Sequence, residues 1–141
     1  METKEEKPFV IARLKTDEEY IPSLLKIAKK HNIKAGFILN SIGMLKDIEL
    51  GFFKGKGKYQ SNKFKGPMEV TSVQGNFALM EDQLKTHFHI NLADQKGQVH
   101  GGHLEKGTVH VTAEIVILKL DQTKMIRKIE EDTGLAGLNL G

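Results

Sequence analysis

Five of the six histidines in this 141-residue chain lie between residues 87 and 110. His87 and His89 flank Phe88, and because residues i and i+2 of a strand share a face, both imidazoles should point the same way. Their Cα atoms would lie about 6.6 Å apart, from a rise of roughly 3.3 Å per residue. Imidazoles at that spacing can bind one ion through bonds of about 2.0–2.1 Å. The pair therefore predicts part of a metal site, although an isolated His-x-His is also typical of a solvated strand face.

A third ligand has to come from another segment, and His103 directly follows the double glycine Gly101-Gly102. Glycine allows backbone paths that other residues avoid, so this segment could carry His103 over the same face. The chain has no cysteine, so a transition-metal site must consist of imidazole, carboxylate and water. Three imidazoles without an obvious fourth ligand match a site with an open position for water or substrate. We expect zinc, although other divalent transition metals accept the same ligands.

Two further polar residues follow in the predicted strand over residues 108–119. His110 and Glu114 are expected on its polar face, where either could support the metal ligands or supply a fourth. The alternative for each is an ordinary polar position on an outer sheet face. No role is assigned to His100, and His31 is expected to end a helix, where positive charge suits the helix dipole.

The hydrophobic pattern predicts the elements that position these side chains. Strands are expected over residues 9–15, 37–42, 48–53, 58–64, 68–79, 86–93 and 108–119, with Gly75 as a candidate bulge in the fifth. A helix is predicted after the first strand. Thr16 and Glu19 have the spacing of a capping box, and an apolar stripe follows at Ile21, Leu24, Leu25 and Ala28. A short helical turn is expected around residues 127–131. This order predicts an α+β fold, a mostly antiparallel sheet with one main flanking helix.

Composition limits the function classes. The length suits a single compact domain, assigned to residues 8–141, with the charged residues 1–7 as a disordered tail. No apolar run approaches the twenty or so residues that span a bilayer, and residues 1–7 do not resemble a secretory signal. We therefore expect a cytoplasmic protein without a membrane partner.

The net charge of +3 is carried almost wholly by lysine, with arginine only at Arg13 and Arg127. Few arginines argue against bidentate guanine readout, so at most weak, non-specific DNA binding is expected. The glycine- and lysine-rich residues 51–58 could cradle a phosphate. They lack the Lys-Ser/Thr ending of a P-loop, so a hairpin is predicted there instead.

Four segments resemble the plant-and-prokaryote-conserved (PPC) domain family in order and spacing: SIGMLKD at 41–47, EVTSVQGN at 69–76, HFHINL at 87–92 and GQVHGGHL at 97–104. The resemblance extends over about residues 9–140. It implies a compact antiparallel sheet with a flanking helix, assembled as a homotrimer. Some prokaryotic members of the family bind zinc through histidines, which by motif correspond to His87, His89 and His103.

The resemblance also bears on function. In plants the domain accompanies AT-hooks in nuclear proteins, and prokaryotic members are commonly called DNA-binding proteins. No Arg-Gly-Arg-Pro core occurs in this chain, so the element that grips the A·T minor groove is missing. The resemblance favours a stand-alone, homotrimeric PPC domain with a three-histidine metal site and a DNA-binding or regulatory role. The alternative is a metal-dependent enzyme that acts on a small substrate at the open coordination position, with His110 or Glu114 as acid or base.

Overall fold

The computed structural model describes residues 1–140, which form nine strands and one helix. The elements are β1 (Glu2–Glu6), β2 (Phe9–Lys15), α1 (Tyr20–Lys30), β3 (Gly36–Gly55), β4 (Lys58–Phe64), β5 (Met68–Met80), β6 (Gln83–Ala93), β7 (Val99–Lys119), β8 (Ile126–Ile129) and β9 (Ala136–Asn139). The predicted α+β class, mostly antiparallel with one flanking helix, is confirmed. Within these residues, α1 is too short and too polar to cross a membrane.

The sheet curls because its two longest strands each pair with three others. Strand β7 pairs with β2, β3 and β6, and β3 also pairs with β4 and β5. Since β5 in turn pairs with β6, the strands β3, β5, β6 and β7 form a closed ring of antiparallel pairs. A parallel contact joins β5 to β8 at Leu79 and Ile126. This ring fixes the first part of β7 against β6, where the predicted metal ligands lie.

Helix α1 covers the core with a face slightly different from the predicted one. Tyr20 and Ile27 are fully buried, together with Leu24 and Ala28, whereas Ile21 is only half-buried. The helix begins after Glu19, which makes no side-chain cap, so the predicted capping box is wrong. Pro22 lies in the first turn, where backbone N–H groups have no partner within the helix and proline is tolerated.

The predicted disordered tail over residues 1–7 is wrong in its larger part. Strand β1 pairs antiparallel with β2 along its whole length, from Glu2 opposite Arg13 to Glu6 opposite Phe9. Its side chains also reach the end of α1, where Lys30 Nζ donates to Thr3 Oγ1 at 2.7 Å. The backbone ladder and these polar contacts hold an edge strand that needs no apolar residues.

Two other segments are more extended than predicted. The helical turn expected around residues 127–131 is wrong, because β8 lies there and pairs antiparallel with β9. Strand β7 begins at Val99 and not at residue 108 as predicted, so the double glycine Gly101-Gly102 belongs to a strand. This earlier start is what places His103 in a defined register.

Candidate metal centre

The three predicted ligands converge on neighbouring strands. His89 of β6 is the direct register partner of His103 of β7, and His87 lies two residues away from His89 on the same strand. The Nε2 atoms of His87 and His89 are 3.2 Å apart. One ring nitrogen from each of the three histidines lies within 4.8 Å of the others. Strand alternation therefore brought the first pair together, as predicted, and the pairing of β6 with β7 adds the third.

The double glycine acts by permitting close strand packing. Gly102 lies between β6 and β3, opposite Ile90. A Cβ atom added at Gly102 would lie 3.0 Å from the Gly51 carbonyl oxygen and 3.3 Å from Leu50 Cβ. Contacts that short leave little room for a side chain. Glycine thus allows β3, β6 and β7 to pack closely against one another at the residue before His103.

The surroundings keep two of the rings neutral. Burial lowers the pKa of His87 to about 4, and the nearby Arg127, His103 and His89 act in the same direction. Burial likewise lowers the pKa of His103, aided by His89 and Arg127 and opposed by Glu105. Neutral imidazole is the form that binds a metal. At neutral pH both rings therefore present a lone pair without first losing a proton.

The chemistry of the donor set fits a divalent transition metal. Two ligands of one tetrahedral zinc ion lie about 3.3 Å apart when the bonds are about 2.0–2.1 Å long, and the His87 and His89 nitrogens are 3.2 Å apart. The Nδ1 atom of His103 is buried without a hydrogen-bond partner among the described residues. A buried, unpaired ring nitrogen is costly and is consistent with a ligand at this ring. These three residues would hold the ion, with a remaining position open to water or another ligand.

A cleft of about 520 Å³ opens beside His87 and His103. The Tyr59 ring from β4 forms one wall, with its centroid 5.3 Å from that of His103. Arg127 from β8 forms another and is only 8% exposed. Its Nη1 donates to the Ala136 carbonyl at 2.8 Å and its Nη2 donates to Asn76 Oδ1 at 2.6 Å.

Sequence reasoning did not identify Tyr59 or Arg127 as site residues. Arg127 is one of only two arginines and follows Met125 and Ile126, so an arginine beside apolar residues was the available signal. Nothing in the sequence indicated that β8 would lie next to β5. That contact alone brings Arg127 to Asn76, the register partner of His87.

His110 and Glu114 do not join the three histidines. Between Met44 and Gly43, one residue step on β3 corresponds to three residue steps on β7, from His110 to Ala113. Val111 in this bulge has a φ of 69°, which is rare for a β-branched residue. His110 and Glu114 pair with Met44 and Ile42 of β3, whereas β6 pairs with β7 only over residues 99–103. Neither residue therefore lies beside the β6 histidines, and the proposal that either supports the metal ligands loses its basis.

The other two histidines make local pairs. His100 Nε2 lies 3.2 Å from Asp94 Oδ2, and its ring packs against Phe64 with centroids 5.0 Å apart. His31 follows α1 as its C-cap, as predicted, and its Nδ1 lies 3.4 Å from Glu5 Oε2. Neither residue is part of the histidine cluster.

Comparison with solved structures identifies the fold. The chain superimposes on a candidate DNA-binding protein of Bacteroides thetaiotaomicron with a TM-score of 0.92 and 25% identity, covering 99% of this chain and 96% of that one. A PPC protein of Pyrococcus horikoshii is 30% identical, with a TM-score of 0.83 and coverage of 99% and 96%. A metal-containing protein of Archaeoglobus fulgidus gives a TM-score of 0.86 at 24% identity, with coverage of 98% and 96%.

Sequence comparison identifies the family. The chain is 28% identical over 129 residues to the bifunctional protein GlmU of Synechococcus sp. strain JA-2-3B'a(2-13), an alignment that covers 91% of this chain and 19% of that protein. It thus spans about a fifth of the length of the curated relatives it matches. The family model of the Plants and Prokaryotes Conserved domain, abbreviated PCC or PPC, matches residues 1–121. The chain therefore belongs to the PPC domain family that its histidine and glycine motifs predicted.

Proposed function

We propose that this chain is a metal-binding PPC module in which His87, His89 and His103 hold one divalent transition metal, with zinc as the expected ion. The observation that carries the proposal is the convergence of three ring nitrogens within 4.8 Å of one another. Two of the rings have pKa values lowered mainly by burial, which favours the neutral, metal-binding form. The Archaeoglobus fulgidus protein that shares this fold is itself metal-containing.

The proposed assembly is a homotrimer, which the family resemblance implies. A surface that suits self-association lies on β2 and β3, and we call it the apolar face: Phe9, Ile11, Phe37, Leu39 and Ile42. Each of these side chains is between 37% and 59% exposed. Phe9 and Phe37 lie on either side of Leu118 of β7, so the patch is continuous across three strands. Exposed apolar patches of this kind are typical of protein interfaces. The apolar C-terminal residues Leu135 and Leu138 lie elsewhere, in the lining of the cleft.

DNA contact, if it contributes to function, is proposed to be electrostatic. Five exposed lysines lie on the β3–β4 hairpin: Lys54, Lys56, Lys58, Lys63 and Lys65. Arg127 is buried, so Arg13 is the one arginine left for contact with bases. Lysines on a hairpin suit phosphate oxygens and carry little sequence information. This matches relatives described as candidate DNA-binding proteins without requiring a specific site.

A metal-dependent enzyme is the second candidate, and the cleft beside the histidines favours it. His87 and His103 line a concave site of about 520 Å³, within the size range of small-ligand pockets. The candidate acid or base is Glu130, the one carboxylate among the described residues that line the cleft, whereas His110 and Glu114 lie outside it. A bound metal would supply polarisation of a ligand or activation of water. Glu130 would then hold or deliver the proton.

X-ray absorption spectroscopy of the zinc-loaded protein tests the proposed metal site. The expected first shell contains three imidazole nitrogens at about 2.0–2.1 Å, completed by one light ligand. The His103→Ala variant should lose one imidazole from that shell or lose the metal altogether. A first shell dominated by carboxylate oxygen, or an unchanged shell in the variant, would place the metal elsewhere.

A further inference from the structure

Within residues 1–140, Arg127 carries a buried positive charge without a counter-ion. It is 8% exposed, and its hydrogen bonds within the described residues go to neutral acceptors, the Asn76 amide oxygen and the Ala136 carbonyl. The ion pairs of those residues leave it out. Burial lowers the pKa of Arg127, yet a guanidinium remains protonated in proteins. A buried charge without a partner is strongly unfavourable, and a bound anion would offset that cost.

The guanidinium is held by two hydrogen bonds and keeps further N–H donors for a ligand. The bonds to Asn76 and Ala136 occupy one N–H on each Nη, which leaves the second N–H of each Nη uncommitted. Nε is buried and has no hydrogen-bond partner in the described part of the chain. Two Nη donors in a rigid planar fork match the two oxygens of a carboxylate. Asn76 pairs with His87 across β5 and β6, so this fork lies beside the histidine cluster.

The walls of the cleft indicate what kind of anion would fit. Lys85 lines it together with Arg127, against one carboxylate, that of Glu130, so the charge of the lining favours an anionic ligand. Met80, Leu135 and Leu138 add an apolar surface. A bare inorganic anion would leave that surface in contact with water, whereas an organic acid with a short hydrocarbon body would cover it.

We propose that the cleft beside His87 and His103 binds a small organic carboxylate, with its oxygens between Arg127 and the metal position and its hydrocarbon body against Met80, Leu135 and Leu138. The contact with the metal rests on the metal site proposed above. The contact with Arg127 rests on this chain alone. A metal-dependent enzyme would turn this carboxylate over, and a non-enzymatic PPC module would only sense it.

The presence of only two arginines makes a direct test possible in the unaltered protein. In ¹⁵N-labelled, zinc-loaded protein, Arg13 and Arg127 each give one Nε–Hε resonance. Addition of hexanoate should shift the Arg127 resonance saturably in the millimolar range or below, while the Arg13 resonance stays in place. Inorganic phosphate should shift it less at equal concentration. No saturable shift with hexanoate, or a larger response to phosphate, would overturn the proposal.

Variants then separate this proposal from the metal site. Arg127→Gln should weaken hexanoate binding tenfold or more by calorimetry and keep its zinc, whereas the matched control Arg13→Gln should bind like the wild type. Unchanged hexanoate affinity in Arg127→Gln would overturn the proposal. If that variant does not fold, the wild-type resonances still decide.

A hexanoate shift of Arg127 in protein that binds no zinc would support the carboxylate site and refute the metal site. Zinc binding without a hexanoate shift of the Arg127 resonance would support the metal site and refute the carboxylate site.

Discussion

The two ends of strand β7 carry different kinds of surface. The first end, residues 99–103, pairs with β6 and places His103 opposite His89. The second end, residues 112–118, pairs with β2 and places Val116 and Leu118 beside the exposed residues of the apolar face. Both ends also pair with β3. The neighbouring strand, more than the residue types of β7 itself, decides whether a segment contributes to a polar site or to an apolar one.

His103 and His110 make the same point with one residue type. They lie seven positions apart on the same strand, but only His103 faces the imidazoles of β6. Their neighbours separate them, because β6 pairs with β7 only over residues 99–103, whereas His110 pairs with Met44 of β3. Each end of β7 can therefore be altered while the other serves as an internal control.

The largest expected effect is on assembly, from a charge placed on the apolar face. Ile42→Asp should convert the proposed trimer to monomer, because a carboxylate would have to be desolvated in the interface. Sedimentation equilibrium would show a threefold drop in mass with zinc content retained. The matched control is Ile129→Asp, since Ile129 is 60% exposed and Ile42 59%, but Ile129 lies on β8. A wild-type protein that is already monomeric at micromolar concentration would refute the trimer.

The next effect concerns the backbone that supports His87. Gly75 has a φ of 147°, and a Cβ there would collide with the His87 carbonyl oxygen and lie 2.8 Å from Phe88 Cα. Gly75→Ala should lower the free energy of unfolding by about 2–4 kcal/mol and weaken zinc binding. Gly97→Ala is the control, since a Cβ at Gly97 has nothing within 4 Å, and it should cost only about 1 kcal/mol for its positive φ. Equal losses in urea denaturation would contradict the close contact with β6.

The sequence predicted the features that depend on local periodicity. Strand alternation placed His87 and His89 on one face, and the helix was identified from its apolar spacing. What it missed depends on contacts between distant segments. Strand β1 has no apolar residues and is recognisable only by its pairing with β2. Arg127 joins the cleft because β8 pairs with β5, and the Val111 bulge is defined only relative to β3.

A smaller effect is expected in the stability of the metal-free protein at acid pH. The pKa of His87 falls from 6.5 to about 4 in the folded chain, chiefly through burial. Between these values the unfolded chain binds a proton that the folded chain does not, so the free energy of unfolding decreases as the pH falls from 6.5 toward 4. The loss due to His87 should be about 1–2 kcal/mol, since its partial exposure screens the effect. His87→Gln should be less sensitive over this range in denaturant titrations, and an identical pH profile would refute the assignment.

The smallest effect is expected on DNA. Binding to a labelled duplex should be micromolar or weaker at physiological salt and independent of sequence. Lys56→Gln/Lys58→Gln should reduce the slope of log affinity against log salt by up to about 2, because each lysine that contacts a phosphate contributes about 1. Lys4→Gln/Lys7→Gln, on and beside β1, is the control and should leave the slope unchanged. A footprint on a defined sequence that persists at high salt would contradict the electrostatic account.

The central claim is tested most directly by the zinc content of exhaustively dialysed protein. Wild-type protein should retain about one zinc per chain at pH 7.5, and His89→Ala should lose most of it, because only two imidazoles of the cluster would remain. His31→Ala removes a histidine at the end of α1 and should retain the wild-type amount. If the wild type and His89→Ala carry the same zinc, or neither binds added zinc better than the other, the cluster is not a metal site.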